Sequence, residues 1–421
     1  MLDIKLIREQ RDFVKQEIEK LFIDAPIDEI YELDEIKRNK LFIVENLRNK
    51  RKTLSSEIAK EKDASIIQSK KEDVKKINLQ IKEEEDLLRD IEQKFDNLML
   101  EVPNLPDPEV PVGKDDSENI PVSYFNEKKT FDFTVKTHYE IGEAKGYIDF
   151  NRGVKISGTR FYILKNSFAK LQRAVINFML DTHIFEHGYE EIYSPFMVNK
   201  ECLIGTGQLP KFADNLYMDT DSDMWFVPTA EVPVTNMYRN EVLNACDLPI
   251  YHAAYTACFR KEKMSAGKDS RGIKRGHQFD KVELVKIIKP EDAKEELFKL
   301  IADAQDILNR LDLPHRLVKI CTGDLSFSAA EKYDIEVYAP GINEWLEVSS
   351  CSNFNTFQAR RANIKFKREN DSKPEFAATL NGSGLALPRV MIAIIENYQT
   401  IDGNVRIPEA LKSYFGSEEI I

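Results

Sequence analysis

Three stretches of this chain combine residue types that handle phosphate chemistry. The first is Tyr255–Lys286, where a run ending in Arg260, Lys261 and Glu262 is followed by a return run, His277–Leu284. Read as a strand pair, alternation sets Arg260 and Glu262 on one face of the first strand, and Phe279, Lys281 and Glu283 on one face of the second. An Arg fork suits phosphate oxygens and an aromatic ring suits a base. Between the two runs lies a basic loop with Lys263, Lys268, Arg271, Lys274 and Arg275 beside Gly267, Gly272 and Gly276. Taken alone, a solvent-facing sheet with cross-strand ion pairs is the commoner reading of such charges. The second stretch, Asn381–Arg389, leads into an apolar run, Val390–Ile395. A helix apolar nearly all round is buried, so Arg389 in its opening turns needs an anion: a ligand or a structural carboxylate. Pro388 is tolerated only near the helix start. The third is Trp345–Ser350, where Glu347 and Ser350 offer hard oxygens suited to Mg²⁺ bridging nucleotide phosphates, a weak signal alone.

Two tempting matches fail. Lys263–Lys268 has the form of a mobile synthetase lysine loop, but the chain holds no His-x-Gly-His partner. No Walker P-loop exists either, because Glu262 stands at the first glycine position and Asp269 at the hydroxyl position. Five scattered cysteines without a C-x-x-C pair argue against structural zinc and fit reduced thiols in a cytosol.

The elements that must hold these groups follow from pattern. The 421 residues suggest two or three domains, and their net charge of −12 (60 Lys+Arg against 72 Asp+Glu) argues against indiscriminate coating of nucleic acid. No apolar run is long enough to span a membrane, and Asp3, Lys5 and Arg8 exclude a signal-peptide core. Within residues 1–102, Val74, Ile77, Ile81, Leu88, Ile91, Phe95 and Leu98 keep heptad spacing broken by Glu84; Ile30, Leu33, Val44, Leu47, Leu54 and Ile58 match them. A stripe this narrow predicts an antiparallel two-helix coiled-coil arm turning at Lys62–Ser65 and projecting from the body. Lys37, Arg38, Lys40, Arg48, Lys50, Arg51 and Lys52, opposed only by Glu45, make residues 36–52 a local patch of +6 on an acidic chain. Such a patch is a solvated face or a phosphate-contacting rod. Prolines 103, 106, 108, 111 and 121 mark residues 103–121 as a linker. From 122 to 421, hairpin-spaced strands with segregated helices predict an α+β domain built on a largely antiparallel sheet.

Taken together, these motifs resemble the bacterial seryl-tRNA synthetases, over essentially the whole chain. Three class II motifs occur in order: Glu190–Pro195, whose proline marks the family's dimer interface; Phe259–Glu262 with His277–Glu283; and Gly382–Arg389. Gly205–Phe212, Pro228–Glu231, Ser352–Phe354 and Gln358–Arg361 are more specific to the seryl branch. The resemblance implies a class II antiparallel-sheet catalytic domain that joins L-serine to tRNA(Ser) through a seryl-adenylate, and leaves tRNA(Sec) open as a second substrate. By similarity, Thr229, Ala230, Glu231, Arg260, Glu283, Asn381 and Ser383 bind serine. Arg260, Lys261, Glu262, Phe279, Glu347, Val348, Ser349, Ser350 and Arg389 bind ATP, with Arg260 and Arg389 catalytic and Glu347 and Ser350 on Mg²⁺. The helical arm would grip the long variable arm of the tRNA by backbone shape. A cytoplasmic homodimer without zinc is implied. A ligase charging a carrier protein would lack the hairpin, and an inactive RNA-binding relative would have no chemical reason to keep Arg260, Glu283 and Arg389.

Overall fold

The computed structural model describes residues 1–263, 271–416 and 420–421. The chain gathers into two compact units, Met1–Glu19 with Ile23–Pro103, and Asn104–Ile421 with Lys20–Phe22.

The first unit opens with two short helices and continues as the hairpin α1 (Ile27–Lys60) and α2 (Ala64–Glu101). At about 1.5 Å per residue each rod is roughly 50 Å or longer. Acidic Asp28 and Glu29 at the start of α1 and Lys60 at its end suit the helix dipole. Asp63 caps α2 by accepting from the Ser65 and Ile66 amides. Ile30, Leu33, Val44, Ile77, Ile81, Leu88 and Phe95 are buried along the seam, while Leu47, Leu54 and Ile58 are half-buried. Glu84, the break in the heptad, accepts from Lys40 at 2.6 Å, so the polar interruption is an ion pair across the seam.

The second unit bonds its opening proline-rich residues into its own fold. Asn104 donates its side-chain amide to the carbonyls of Ser328 and Phe354 (2.9 and 3.0 Å), and the Asp107 amide donates to Ala330. The frame is an eight-stranded sheet of β1 (Ile120–Phe125), β2 (Glu190–Glu191), β3 (Ile250–Phe259), β4 (Gln278–Ile288), β5 (His315–Lys319), β6 (Glu331–Ala339), β7 (Glu344–Asn353) and β8 (Ala378–Ala386). Its order is β1-β5-β6-β7-β8-β4-β3-β2, antiparallel throughout except for the β2–β3 pair. Helices α3 (Asn166–Phe185), α4 (Glu231–Asn236), α5 (Ala293–Arg310), α6 (Phe357–Ala362) and α7 (Leu387–Asn397) complete the frame. The inner faces of α3, α5 and α7 join Val282, Leu284, Leu380 and Leu385 in the main core.

Asn381–Ser383 forms the middle of β8, between β7 and β4, and the strand runs directly into α7 at Leu387. Its glycines serve packing: a Cβ on Gly382 would come within 2.3 Å of the Leu300 side chain, and one on Gly384 within 2.7 Å of His183 Nε2. The helix faces therefore reach the backbone itself.

Candidate active site

The sheet face turned away from α3 and α5 carries a cavity of about 380 Å³. Three neighbouring strands supply its floor, and two irregularities aim the side chains. On β4 plain alternation sends Phe279, Lys281 and Glu283 into the cavity. On β7, Glu347 and Ser350 are three residues apart and would fall on opposite faces of a regular strand. The register with β6 shifts at Val348, and this bulge brings both residues, with Ser352, to the cavity. On β8 the register with β4 shifts at Gly384, so Asn381 and Ser383 before it and Ala386 after it share the same side.

One wall is acidic and tightly bonded. Glu283 accepts from Thr229 Oγ1 at 2.9 Å and from Asn381 Nδ2 at 3.2 Å, and pairs with Lys281. Thr229 and Glu231 stand at the entry to α4, with the Glu231 amide donating to Thr229 Oγ1 at 3.3 Å. Glu231 accepts from Gln358 Nε2 at 2.6 Å, and Gln358 accepts in turn from Thr379 Oγ1 at 2.7 Å. Burial first, and the nearby Glu283 charge second, push the Glu231 carboxyl up to about 7.

The opposite end is basic. Arg260 follows the end of β3, its Nε donating to the Pro228 carbonyl at 3.2 Å and its guanidinium 5.1 Å from the centre of the Phe279 ring. Arg389, in the first turn of α7, donates to the Glu347 carbonyl at 2.5 Å and lies 3.5 Å from its carboxylate. Its side chain is 20% exposed and lines the cavity, so it is not the buried guanidinium expected from its apolar helix. The expected carboxylate partner is there, but at the cavity wall. Crowding by protein would raise the Glu347 carboxyl, yet Arg389 first, then Lys332, Arg260 and Lys281, hold it below the usual range.

Thr229, Glu231, Arg260, Glu262, Phe279, Glu283, Glu347, Val348, Ser350, Asn381, Ser383 and Arg389 thus meet in one cavity. Arg260 and Glu262 do so beyond the strand rather than by alternation along it: β3 ends at Phe259, and Glu262 takes a left-handed φ of 49°. Three expected residues turn elsewhere. The Ala230 methyl is packed with Val234, Ala254 and Val285. Lys261 extends over the Tyr217 ring, 5.5 Å from its centre. Ser349 points to the core side of β7, beside Cys351. Gly267 and Lys268 of the basic loop lie outside the described residues, whereas Lys274 and Arg275 line the cavity, Arg275 lying 3.6 Å from Glu262.

Sequence reasoning set Lys281 on the face of Phe279 and Glu283 but gave it no role in the site. Gln208, Phe212 and Phe354, named only as members of motifs, and Ser326–Ser328, from a loop without a periodic signal, also line the cavity. Gln358, the partner of Glu231, carried only its place in a motif.

The basic patch on α1 is partly spent on the hairpin itself. Lys40 pairs with Glu84, Lys37 lies 3.6 Å from Glu92, Arg48 pairs with Glu85 at 2.7 Å, Arg51 donates to Asn78 and Arg38 to Asp34. Among the described residues, Lys50 and Lys52 remain exposed without an ion pair.

Among the described residues no three His, Cys, Asp or Glu side chains form a metal-holding group, and no helix is long and apolar enough to cross a membrane. All five cysteines are free thiols.

Comparison with known proteins gives a consistent result. Residues 215–398 match the tRNA synthetase class II core domain (G, H, P, S and T), and residues 1–106 match the seryl-tRNA synthetase N-terminal domain. The serine–tRNA ligase of a Dehalococcoides mccartyi strain is 55% identical over 420 residues, covering 100% of both chains. That of Thermomicrobium roseum is 54% identical over 426 residues, covering 100% of this chain and 95% of its own. The crystal structure of seryl-tRNA synthetase from Pyrococcus horikoshii complexed with ATP superposes with a TM-score of 0.92 at 37% identity, covering 100% of this chain and 99% of that one.

Proposed function

The chain belongs to the seryl-tRNA synthetase family and attaches L-serine to tRNA with ATP, and from that premise we propose how its cavity divides the work. The observation that carries the reading is the convergence of a bonded acidic wall, two arginines and an aromatic ring in one cavity. Glu231 and Glu283 take the serine ammonium, and Thr229, Asn381 and Ser383 complete a pocket for the small hydroxymethyl group. A site that hydrogen-bonds the hydroxyl rejects alanine, which leaves buried polar groups unpaired. Arg260 holds the serine carboxylate beside the ATP α-phosphate. A carboxylate oxygen attacks the α-phosphorus, the new O–P bond forms as the bond to the β-phosphate oxygen breaks, and pyrophosphate departs. Arg260 stabilises the charge that spreads over the phosphoryl oxygens during this in-line displacement. Phe279 stacks on the adenine, Glu262 accepts from its edge, and Arg389 swings from Glu347 to the γ-phosphate. A ribose hydroxyl of the terminal adenosine of tRNA then attacks the seryl carbonyl carbon and releases AMP.

Glu347 and Ser350 share the cavity side through the β7 bulge and offer one carboxylate and one hydroxyl, a donor set that fits Mg²⁺ held jointly with nucleotide phosphates. When bound, the ion offsets negative charge on those phosphates.

The hairpin reads the long variable arm of tRNA(Ser) through its backbone, with Lys50 and Lys52 ready for phosphate contact and Arg38, Arg48 and Arg51 able to exchange their protein partners for phosphates. A tRNA(Sec) with the same arm is a substrate on the same grounds. The working form is a cytoplasmic homodimer. Deleting the hairpin tests this division: serine-dependent pyrophosphate exchange persists and charging of tRNA(Ser) disappears. Parallel loss of both activities in a folded variant overturns it.

A further inference from the structure

We infer that His183, which is not among the residues lining the cavity, is a positioning residue for serine: through the Gly384 carbonyl it holds the β8 bulge that adjoins Ser383 in the pocket wall. This rests on the reading of Ser383 as part of the serine site.

The bulge gives the reason. β8 pairs Ser383 with Glu283 and Leu385 with Val282, so Gly384 is the extra residue with no ladder partner. A carbonyl left out of the ladder in a core needs another donor. His183, fully buried on α3, brings Nε2 to 3.2 Å from the Gly384 oxygen. The approach requires glycine, because a Cβ would meet that nitrogen at 2.7 Å.

The carbonyl only accepts, so His183 Nε2 carries a proton. Behind it, His183 Nδ1 lies 3.0 Å from His187 Nδ1, and His187 Nε2 lies 3.1 Å from Asp306 Oδ2. Between the two Nδ1 atoms one donates, and the Asp306 carboxylate only accepts. Three of the four ring nitrogens therefore carry protons, and the pair bears one positive charge. That charge belongs on His187, which faces Asp306 and has Asp303 4.0 Å from Nδ1, whereas among the described residues His183 makes no ion pair with a carboxylate. Burial foremost pushes the His183 imidazole down to about 4, consistent with a neutral ring. The surrounding charges are fixed by their own bonds: Tyr189 donates to Asp303, and Arg310 binds both Asp306 and Glu186. Lys286 stands near Asp303 and pairs with Glu296. A chain of directed bonds thus runs from α5 through α3 to the strand that carries Ser383.

The test is serine-dependent pyrophosphate exchange by the full chain with His183→Leu, His183→Gln and Ser383→Ala. His183→Leu raises the serine KM about tenfold, as expected when a buried carbonyl loses its donor, and leaves the ATP KM within about twofold. His183→Gln, which keeps an N–H of similar reach, recovers most of the loss. A serine KM unchanged in the Leu variant, equal rises for serine and ATP, or a Gln variant no better than Leu each overturns the inference. An unchanged serine KM in Ser383→Ala refutes the serine-site reading itself; a raised one with a silent His183→Leu refutes only the positioning role. Ring-nitrogen NMR of the unaltered protein needs no variant to fold. It is expected to show His183 neutral with its proton on Nε2 and His187 doubly protonated, and a proton on His183 Nδ1 instead overturns the inference.

Discussion

Replacing Glu231 by Gln should stabilise the empty protein in a pH-dependent way while removing serine binding. In the unfolded chain this carboxyl titrates at its ordinary 4.5; in the folded chain burial and the neighbouring Glu283 push it up to about 7. Below about pH 4 it is protonated in both states and contributes nothing to the difference. Between 4.5 and about 7 the unfolded chain gives up a proton that the folded chain keeps, so rising pH favours unfolding. At about 1.4 kcal/mol per pH unit, the cost across that window reaches about 3 kcal/mol and stays constant at higher pH. Gln is nearly isosteric, its amide oxygen can still accept from Gln358, and it carries no charge to desolvate. Urea denaturation at one protein concentration should give parent and Glu231→Gln similar stability at pH 5, with the variant about 2–3 kcal/mol more stable at pH 8. Serine should raise the midpoint of the parent and leave that of the variant unmoved. An equal gap at both pH values, or a variant less stable at pH 8, refutes the reasoning, because either result means the carboxylate is not held at a cost in the fold.

Three other outcomes follow from the site. Arg260→Ala should lower serine-dependent pyrophosphate exchange by about 10³-fold or more without altering circular dichroism, and near-normal exchange contradicts its role. Lys50→Ala with Lys52→Ala should leave exchange unchanged, weaken tRNA(Ser) binding and reduce the slope of log affinity against log salt by about 2; an unchanged slope means those lysines meet no phosphate. EDTA should abolish exchange and added Mg²⁺ restore it, while elemental analysis of the purified protein finds no stoichiometric zinc; recovery that requires Zn²⁺ contradicts the donor-set argument.

What the sequence discloses and what it hides divide along the periodicities. The heptad stripe of α1 and α2 and the alternation of Phe279, Lys281 and Glu283 are local repeats, legible without coordinates. Glu347 with Ser350, and Ser383 with Ala386, share the cavity only because a bulge resets the alternation on β7 and on β8. Bulges of this kind depend on the partner strand, which the local sequence does not name. The glycines at 382 and 384 carry little signal in the sequence, whereas Leu300 and His183, over 80 residues earlier, demand them. Likewise, a +6 patch on α1 looks free until the acidic positions of α2 are folded against it, since ion pairs between distant segments leave no mark in a local charge count. Gln358 is hidden for the same reason: its bond to Glu231 spans 127 residues in sequence.

The claim on which the rest depends is that the acidic wall and the arginines form one site fitted to serine and the ATP α-phosphate. Pyrophosphate exchange measured with serine, alanine, threonine, cysteine and glycine in turn tests it most directly. Exchange should depend on serine, with alanine lower by about 10³-fold or more because the groups that meet the hydroxyl are left unpaired. Comparable exchange with alanine, or exchange that needs no amino acid, contradicts the account.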